Sequence, residues 1–418
     1  MMKRARPLSN AHARLSGLLL VLLLGGCSWF TWLPWVDGKE DEDNDEPAPL
    51  VQFDEEVKVQ RLWRSSVGDG LGRKYLRLSP VVDENLVFAA DGYGTVAAYD
   101  RRTGKRDWEV QIHDLDSGFF DWLDFIDRTD PSFVSGGLGF GQGLILVGTT
   151  FGEVVALEVA DGNELWRANV GSEVVSAPTA TRQGVFAQSI DGQLIALSKD
   201  TGQLMWTYDN QVPILTLRGT GSPVENDRVV YAGFANGKVG AFRAENGEPL
   251  WEHRVMLPEG RSELERLVDV DSTPLLVGSG VYVASYHGRI KSLSQRDGRA
   301  RWEQEISTYL DLADGYGQIY AIDDEDVVRA FDQQTGEENW VQESFKRRKL
   351  TAPIAFSNYV VFGDDEGYLH IIAQRDGRLL GRRKLDGDGL RSNLIVADDT
   401  IYALSNSGSL QALEISLN

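Results

Sequence analysis

The chain has 418 residues, 44 glycines, 11 tryptophans and a formal net charge of −21. So acidic a protein is a poor candidate for nucleic-acid binding, which needs Lys and Arg surface to meet phosphate. The length would hold two or three ordinary domains, yet an internal repeat from about residue 58 to the end leaves no room for a second.

The amino end reads as a targeting segment. Lys3-Arg4-Ala5-Arg6 is followed by the apolar run Leu18 to Leu24 and then by Gly25-Gly26-Cys27: a basic region, a short hydrophobic core and small residues at a cleavage point. The run is too short to span a bilayer as a helix. Leu24-Gly25-Gly26-Cys27 resembles the lipobox of bacterial lipoproteins, which implies a signal peptide over residues 1–26 and diacylglycerol on Cys27, the chain's one cysteine. Losing that leader, with Lys3, Arg4, Arg6, Arg14 and no acids, would take the charge from −21 to −25. Ser28 stands where an Asp would resemble the inner-membrane retention signal, so the expected location is the outer membrane, with the protein held there by its lipid.

Residues 27–57 are expected to form a tether. Trp29, Trp32 and Trp35 are placed either to lie at the headgroup level or simply to belong to a disordered linker. Asp37 to Glu46 carries seven acids and one Lys, a self-repelling and extended composition.

From residue 58 onward the repeat predicts the fold. Its clearest copies run from Asp91-Gly92-Tyr93-Gly94 through Thr103-Gly104 to Trp108, and from Asp191-Gly192 through Thr201-Gly202 to Trp206. The Trp slot recurs at Trp108, Trp166, Trp206, Trp251, Trp302 and Trp340, and Gly381 takes the next one. Spacings of 38 to 58 residues match a propeller blade. Turn pairs between alternating runs predict hairpins, so each unit reads as a four-stranded antiparallel meander. Gly94, Gly152, Gly192, Gly237, Gly288, the degenerate Asp326, Gly367 and Gly408 mark eight units. The eighth stops at Leu413-Glu414-Ile415 without its last strand, while Gln60-Arg61-Leu62-Trp63-Arg64 stands unclaimed before the first. The expectation is therefore an all-β, eight-bladed β-propeller over residues 58–418, closed by pairing of the N- and C-terminal strands. The Trp residues are expected to pack between blades, with no chemical role.

The blade motif resembles that of pyrroloquinoline quinone dehydrogenases, and an enzyme of that kind is the alternative function. The resemblance implies a vicinal Cys pair and a calcium set, and Cys27 has no second Cys to join it. Asp269-Val270-Asp271 and Asp323-Asp324-Glu325-Asp326 lack a Gly-spaced ligand frame, and His113, His253, His287 and His370 fall in different units. No nucleophile elbow or phosphate loop occurs. No catalytic, cofactor or metal residues are assigned, and the expectation is a noncatalytic binding platform.

Three stretches interrupt the repeat. Ile112 to Gly137 contains Phe119, Phe120, Trp122, Phe125 and six Asp residues, suited equally to an interaction loop or a self-packed Ω-loop. Gln211 to Gly219 includes Pro213-Ile214-Leu215-Thr216-Leu217-Arg218, and Pro258 to Pro274 includes Glu263 to Leu267 and Asp269-Val270-Asp271. A lipobox, eight such units, Pro-x-Leu-x-Leu-Arg-Gly before the fourth and Glu-x-x-Arg-Leu-x-Asp-Val-Asp-x-Thr-Pro before the fifth together resemble the BamB family, propeller lipoproteins of the outer-membrane β-barrel assembly machinery (BAM). The resemblance covers Cys27 to the C-terminus. It implies a scaffold that docks on the periplasmic POTRA domains of BamA and assists insertion of nascent β-barrel proteins. The matching contact residues are Leu215, Leu217, Arg218, Asp269 and Asp271. Leu215 and Leu217 alternate onto one side of an extended stretch, and Arg218 either adds an interface fork or pairs with Asp269 or Asp271. Lys346-Arg347-Arg348-Lys349 reads as a solvated basic face or as a steering patch.

Overall fold

A computed structural model describes residues 46–418 except 73–75, 113–132, 214, 217–220, 259–260 and 263. The described strands form eight four-stranded antiparallel sheets, from β1 (Val57–Ser66) to β32 (Ser409–Leu417). Blade 1 shows the pattern: a short inner strand β2 (Val81–Val82), then β3 (Leu86–Ala90), β4 (Thr95–Asp100) and an outer strand β5 (Arg106–Gln111). Blades 2 to 7 repeat it in chain order. The two middle strands of blade 1 are almost wholly buried, while the outer strand alternates between exposed and partly covered residues. This is expected where a sheet face packs on its neighbour and only the rim meets water.

Blade 8 is built from both ends of the chain. Strand β1 pairs antiparallel with β32 from Val57 opposite Leu417 to Ser66 opposite Ser409, with Trp63 opposite Ala412. The expected closure is therefore present, and main-chain bonds Val67 N to Gly408 O and Leu71 N to Asn406 O carry it onward.

The blades lock through the tryptophans. In every blade the pairing of the outer strand slips by one residue just before the Trp slot, between Arg61 and Trp63 in blade 8 and opposite Ala98/Tyr99 in blade 1. A bulge of this kind sharpens the twist and re-aims the following side chain. Each indole thereby lies over the Gly of the next blade's outer turn: Trp63 on Gly104, Trp108 on Gly162, Trp206 on Gly247 and Trp340 on Gly377, where an added Cβ would stand only 2.5 to 2.7 Å from the ring. Each Nε1–H also donates to a main-chain carbonyl of that turn, as Trp63 does to Arg101 O at 2.9 Å and Trp206 to Ala244 O at 2.9 Å. Cross-strand partners of the indoles are small: Ala98, Ala156, Ala196, Ala241, Ser292, Ala330 and Ala412.

The joint between blades 7 and 8 solves the problem differently. Gly381 faces Ile371, so the large residue has moved to the neighbouring strand. The vacated space admits the incoming chain itself, with Val57 O within 2.8 Å of where a Cβ on Gly381 would lie and Glu56 N donating to Leu380 O at 2.9 Å. The compact unit begins at Pro47, so the ten residues before β1 lie against the ring although the composition assigns them to the tether. Ala48 N donates to Lys346 O and Ala48 O accepts from Arg348 Nη1, Arg382 donates to Val51 O, and the Arg382 guanidinium stands 5.5 Å over the Phe53 ring.

Candidate docking face and central channel

Strand direction alternates within each blade, so two sets of loops emerge on one face. They are the turns between the second and third strands and the connections from each outer strand to the next blade's inner strand. Main-chain bonds tie the two sets together, as in Ile190 N to Glu173 O, Tyr286 N to Asp269 O and Asp365 N to Arg348 O. All three interruptions of the repeat fall, in sequence, between an outer strand and the next blade's inner strand.

The stretch after residue 209 is wedged between the turns of blades 3 and 4. Asn236 Nδ2 donates to Asn210 Oδ1 at 2.9 Å and to Gln211 O at 3.2 Å, and Val212 lies beside Gly192. Leu215 follows with 38% of its surface exposed. Leu217 and Arg218 lie outside the described residues, as do Phe119, Phe120, Trp122, Phe125, Cys27 and the three Trp residues of the tether.

Leu215 has apolar company that the sequence did not single out. Phe151 and Ile190 sit at the turns of blades 2 and 3, and Leu257 and Leu264 in the connection from blade 4 to blade 5, all of them exposed. Phe151 occupies the position before the turn Gly that is Tyr93, Asp191, Asn236, His287, Glu366 or Ser407 in other blades. Large apolar side chains at the tips of turns on adjacent blades are what an interface core requires.

The two acids behave differently from each other. Asp269 is fully buried, its carboxylate behind the surface. Asp271 reaches a central channel of about 440 Å³, lined by the segments that enter the inner strands, with Arg77, Thr273, Tyr309, Asp311 and Asn393 in its wall. Burial, reinforced by Asp269 and Asp311, pushes the Asp271 carboxyl well above the usual carboxylate range, and Arg77 only partly offsets this. Asp311 is satisfied, accepting from Thr273 N at 2.6 Å and from Asn393 Nδ2 at 2.8 Å. The buried Oδ1 atoms of Asp271 and Asn393 have no hydrogen-bond partner among the described residues. The channel therefore offers acceptors to a donor. Arg77, Asp311 and Asn393 come from three different blades, so no spacing along the chain could have grouped them with Asp271.

The basic run at 346–349 is not a uniform solvated face. Arg348 is buried and donates to Asp364 Oδ2 from Nε at 2.8 Å and from Nη2 at 2.7 Å, to Glu366, and to Ala48 O at 2.9 Å. His370 Nε2 meets the same Asp364 oxygen at 2.8 Å, and burial lowers the imidazole pKa against the pull of that carboxylate. A charge so placed must be paired, and the pair here clamps the incoming chain. The degenerate turn at Asp326 has a related cause. It takes a positive φ of 63°, where other blades use Gly, and its carboxylate accepts from Lys349 N and Leu350 N at 2.7 and 2.9 Å. Among the described residues no group of three or more His, Cys, Asp or Glu side chains is placed to hold a metal ion.

The family model described as outer membrane protein assembly factor BamB matches residues 58–120, 122–342 and 324–416. Curated relatives carrying that name include one from Pseudomonas aeruginosa, 40% identical over 404 residues and covering 97% of this chain and 98% of its own. One from Escherichia coli is 32% identical over 399 residues, covering 96% and 98%. The crystal structure of BamB from Moraxella catarrhalis superposes with a TM-score of 0.75 at 25% identity, over 85% of this chain and all of that one. A quinohemoprotein alcohol dehydrogenase from Comamonas testosteroni superposes with a TM-score of 0.66 at 14% identity, over 85% of this chain and 76% of that one, and so shares the fold alone. With the repeat, the ring closure and matches over nearly its whole length in agreement, the chain belongs to the family of the outer membrane protein assembly factor BamB.

Proposed function

We propose that the protein is a noncatalytic scaffold of the outer-membrane β-barrel assembly machinery, docking by its connection face on the POTRA domains of BamA. The observation that carries this reading is the row of exposed apolar side chains on adjacent blades: Phe151, Ile190, Leu215, Leu257 and Leu264. Leu217 and Arg218 extend the row in sequence, and Asp271 supplies a channel acceptor for a cationic or N–H donor of the partner. Asp269, being buried, acts behind the surface, where its charge adds to burial in raising the Asp271 pKa.

Cys27 carries the lipid that holds the protein at the outer membrane, and residues 28–46 are the linker. Ala48 is fixed beside Lys346 and Arg348, on the same face as the docking loops. Replacing Leu215, Leu217 and Arg218 together with Ala is expected to weaken binding to purified POTRA domains at least about 100-fold, the loss of two to three interface anchors. A folded triple variant that binds as tightly as the parent would refute this surface. Addition of pyrroloquinoline quinone and calcium is expected to give neither cofactor absorbance nor dye reduction.

A further inference from the structure

The turns joining first and second strands lie on the face opposite the docking loops. In six blades their first central residue takes a positive φ: Gln142, Asp227, Gly278, Tyr316, Ser357 and Asp398, between 49° and 57°. Such turns suit Gly, Asn, Asp and other small or polar residues, and a bulky ring there is an outlier. Tyr316 is that outlier, and 70% of its surface is exposed. Nothing in the packing of the ring requires an aromatic at this tip. Its hydroxyl donates to Asn358 Oδ1 at 2.6 Å, which holds the side chain across the cleft between blades 6 and 7.

That cleft opens into a groove of about 920 Å³ bounded by blades 6 and 7 and by the closing strands of blade 8. Its floor is a rigid network of amides with no spare capacity. Gln318 Oε1 accepts from Asn339 Nδ2 at 3.0 Å, Gln318 Nε2 donates to Gln374 O at 2.9 Å, and Gln374 spends Nε2 on Ser357 O and Tyr359 O and Oε1 on the Tyr320 hydroxyl. The rim is the reverse. Exposed Asn339 and Asn358 each retain donor capacity toward the groove, and exposed Arg375 makes no ion pair among the described residues. A fixed floor beneath a rim of unspent planar donors is preorganised for a ligand.

The chemistry of that lining selects the ligand class. An open aromatic face stacks on the apolar C–H face of a sugar, while amide and guanidinium forks match hydroxyl pairs, acetamido groups and carboxylates. A polyphosphate is disfavoured, because Arg378 is already paired with Glu56 and Asp376, and Asp332 adds a further acid. The volume lies near the upper end for small-molecule sites and suits an oligomer rather than a single ring. We propose that this groove is a second binding site, for an oligosaccharide of N-acetylated, carboxylate-bearing sugars, with one sugar face on Tyr316, its acetamido groups on Asn339 and Asn358, and its carboxylate on Arg375.

The test is titration calorimetry on the full lipidated protein in detergent with two probes. One is the neutral tetramer of N-acetylglucosamine, the other a tetramer alternating N-acetylglucosamine with N-acetylmuramic acid. Both are expected to bind, the carboxylated one about tenfold more tightly, and Arg375→Ala should abolish that difference. Tyr316→Asn should weaken both at least about tenfold without lowering the melting temperature, because Asn suits the turn better than Tyr. Absence of binding by either sugar, affinity unchanged in Tyr316→Asn, or tighter binding of an acidic peptide than of the glycans would overturn the assignment. The docking variant altered at Leu215, Leu217 and Arg218 should bind the glycans like the parent, so failure of one site leaves the other standing.

Discussion

Replacement of Trp63 by Ala tests whether the ring is closed in solution by the same joint that links its other blades. The indole is 8% exposed, lies on Gly104 of blade 1 and donates Nε1–H to Arg101 O at 2.9 Å. Truncating a buried Trp costs about 3 to 5 kcal/mol, and stranding the Arg101 carbonyl adds about 1, so the expected loss is about 4 to 6 kcal/mol. Trp206 is the control, since it makes the same contacts with Gly247 and Ala244 O between two blades joined by continuous chain. Urea unfolding followed by far-UV circular dichroism should give similar losses for Trp63→Ala and Trp206→Ala. Hydrogen exchange should show β1 (Val57–Ser66) losing protection in the first variant only. If Trp63→Ala costs less than about 1 kcal/mol while Trp206→Ala shows its full loss, closure through the amino-terminal strand does not stabilise the ring.

Two further outcomes follow from the buried charges. The Asp271 pKa is raised in the fold, so its favourable contribution is present at low pH and is lost as pH rises through the folded value; Asp271→Asn should raise the thermal midpoint at about pH 7 and leave it unchanged at about pH 4. An equal shift at both pH values would remove titration as the cause. Arg348→Ala leaves Asp364 without its cation and Ala48 without its donor, with an expected cost of about 3 to 5 kcal/mol and faster proteolysis within residues 47–56. Cleavage at the parental rate would show that the segment is not held there.

Much of the fold was readable along the chain because its determinants are local and repeated. Trp, turn Gly and alternation recur in each unit, and an orphan strand at each end leaves closure as the one way to complete the eighth blade. The Gly at 381 was legible as an exception but not its meaning, since its compensation by Ile371 and by the chain at Glu56 and Val57 appears only across strands. Likewise Arg348 looked like part of a basic surface run until Asp364, sixteen residues on, was found against it.

The sequence by itself determined the number of blades and the place of ring closure, because periodicity and composition are properties of neighbours along the chain. Only the tertiary structure decided that Phe151, Ile190, Leu257 and Leu264 share a face with Leu215, that Asp269 is hidden while Asp271 reaches the channel with Asp311 and Asn393, and that Tyr316 overhangs a groove. A ring brings together residues of several blades that lie tens of residues apart along the chain, and such sets carry no period of their own.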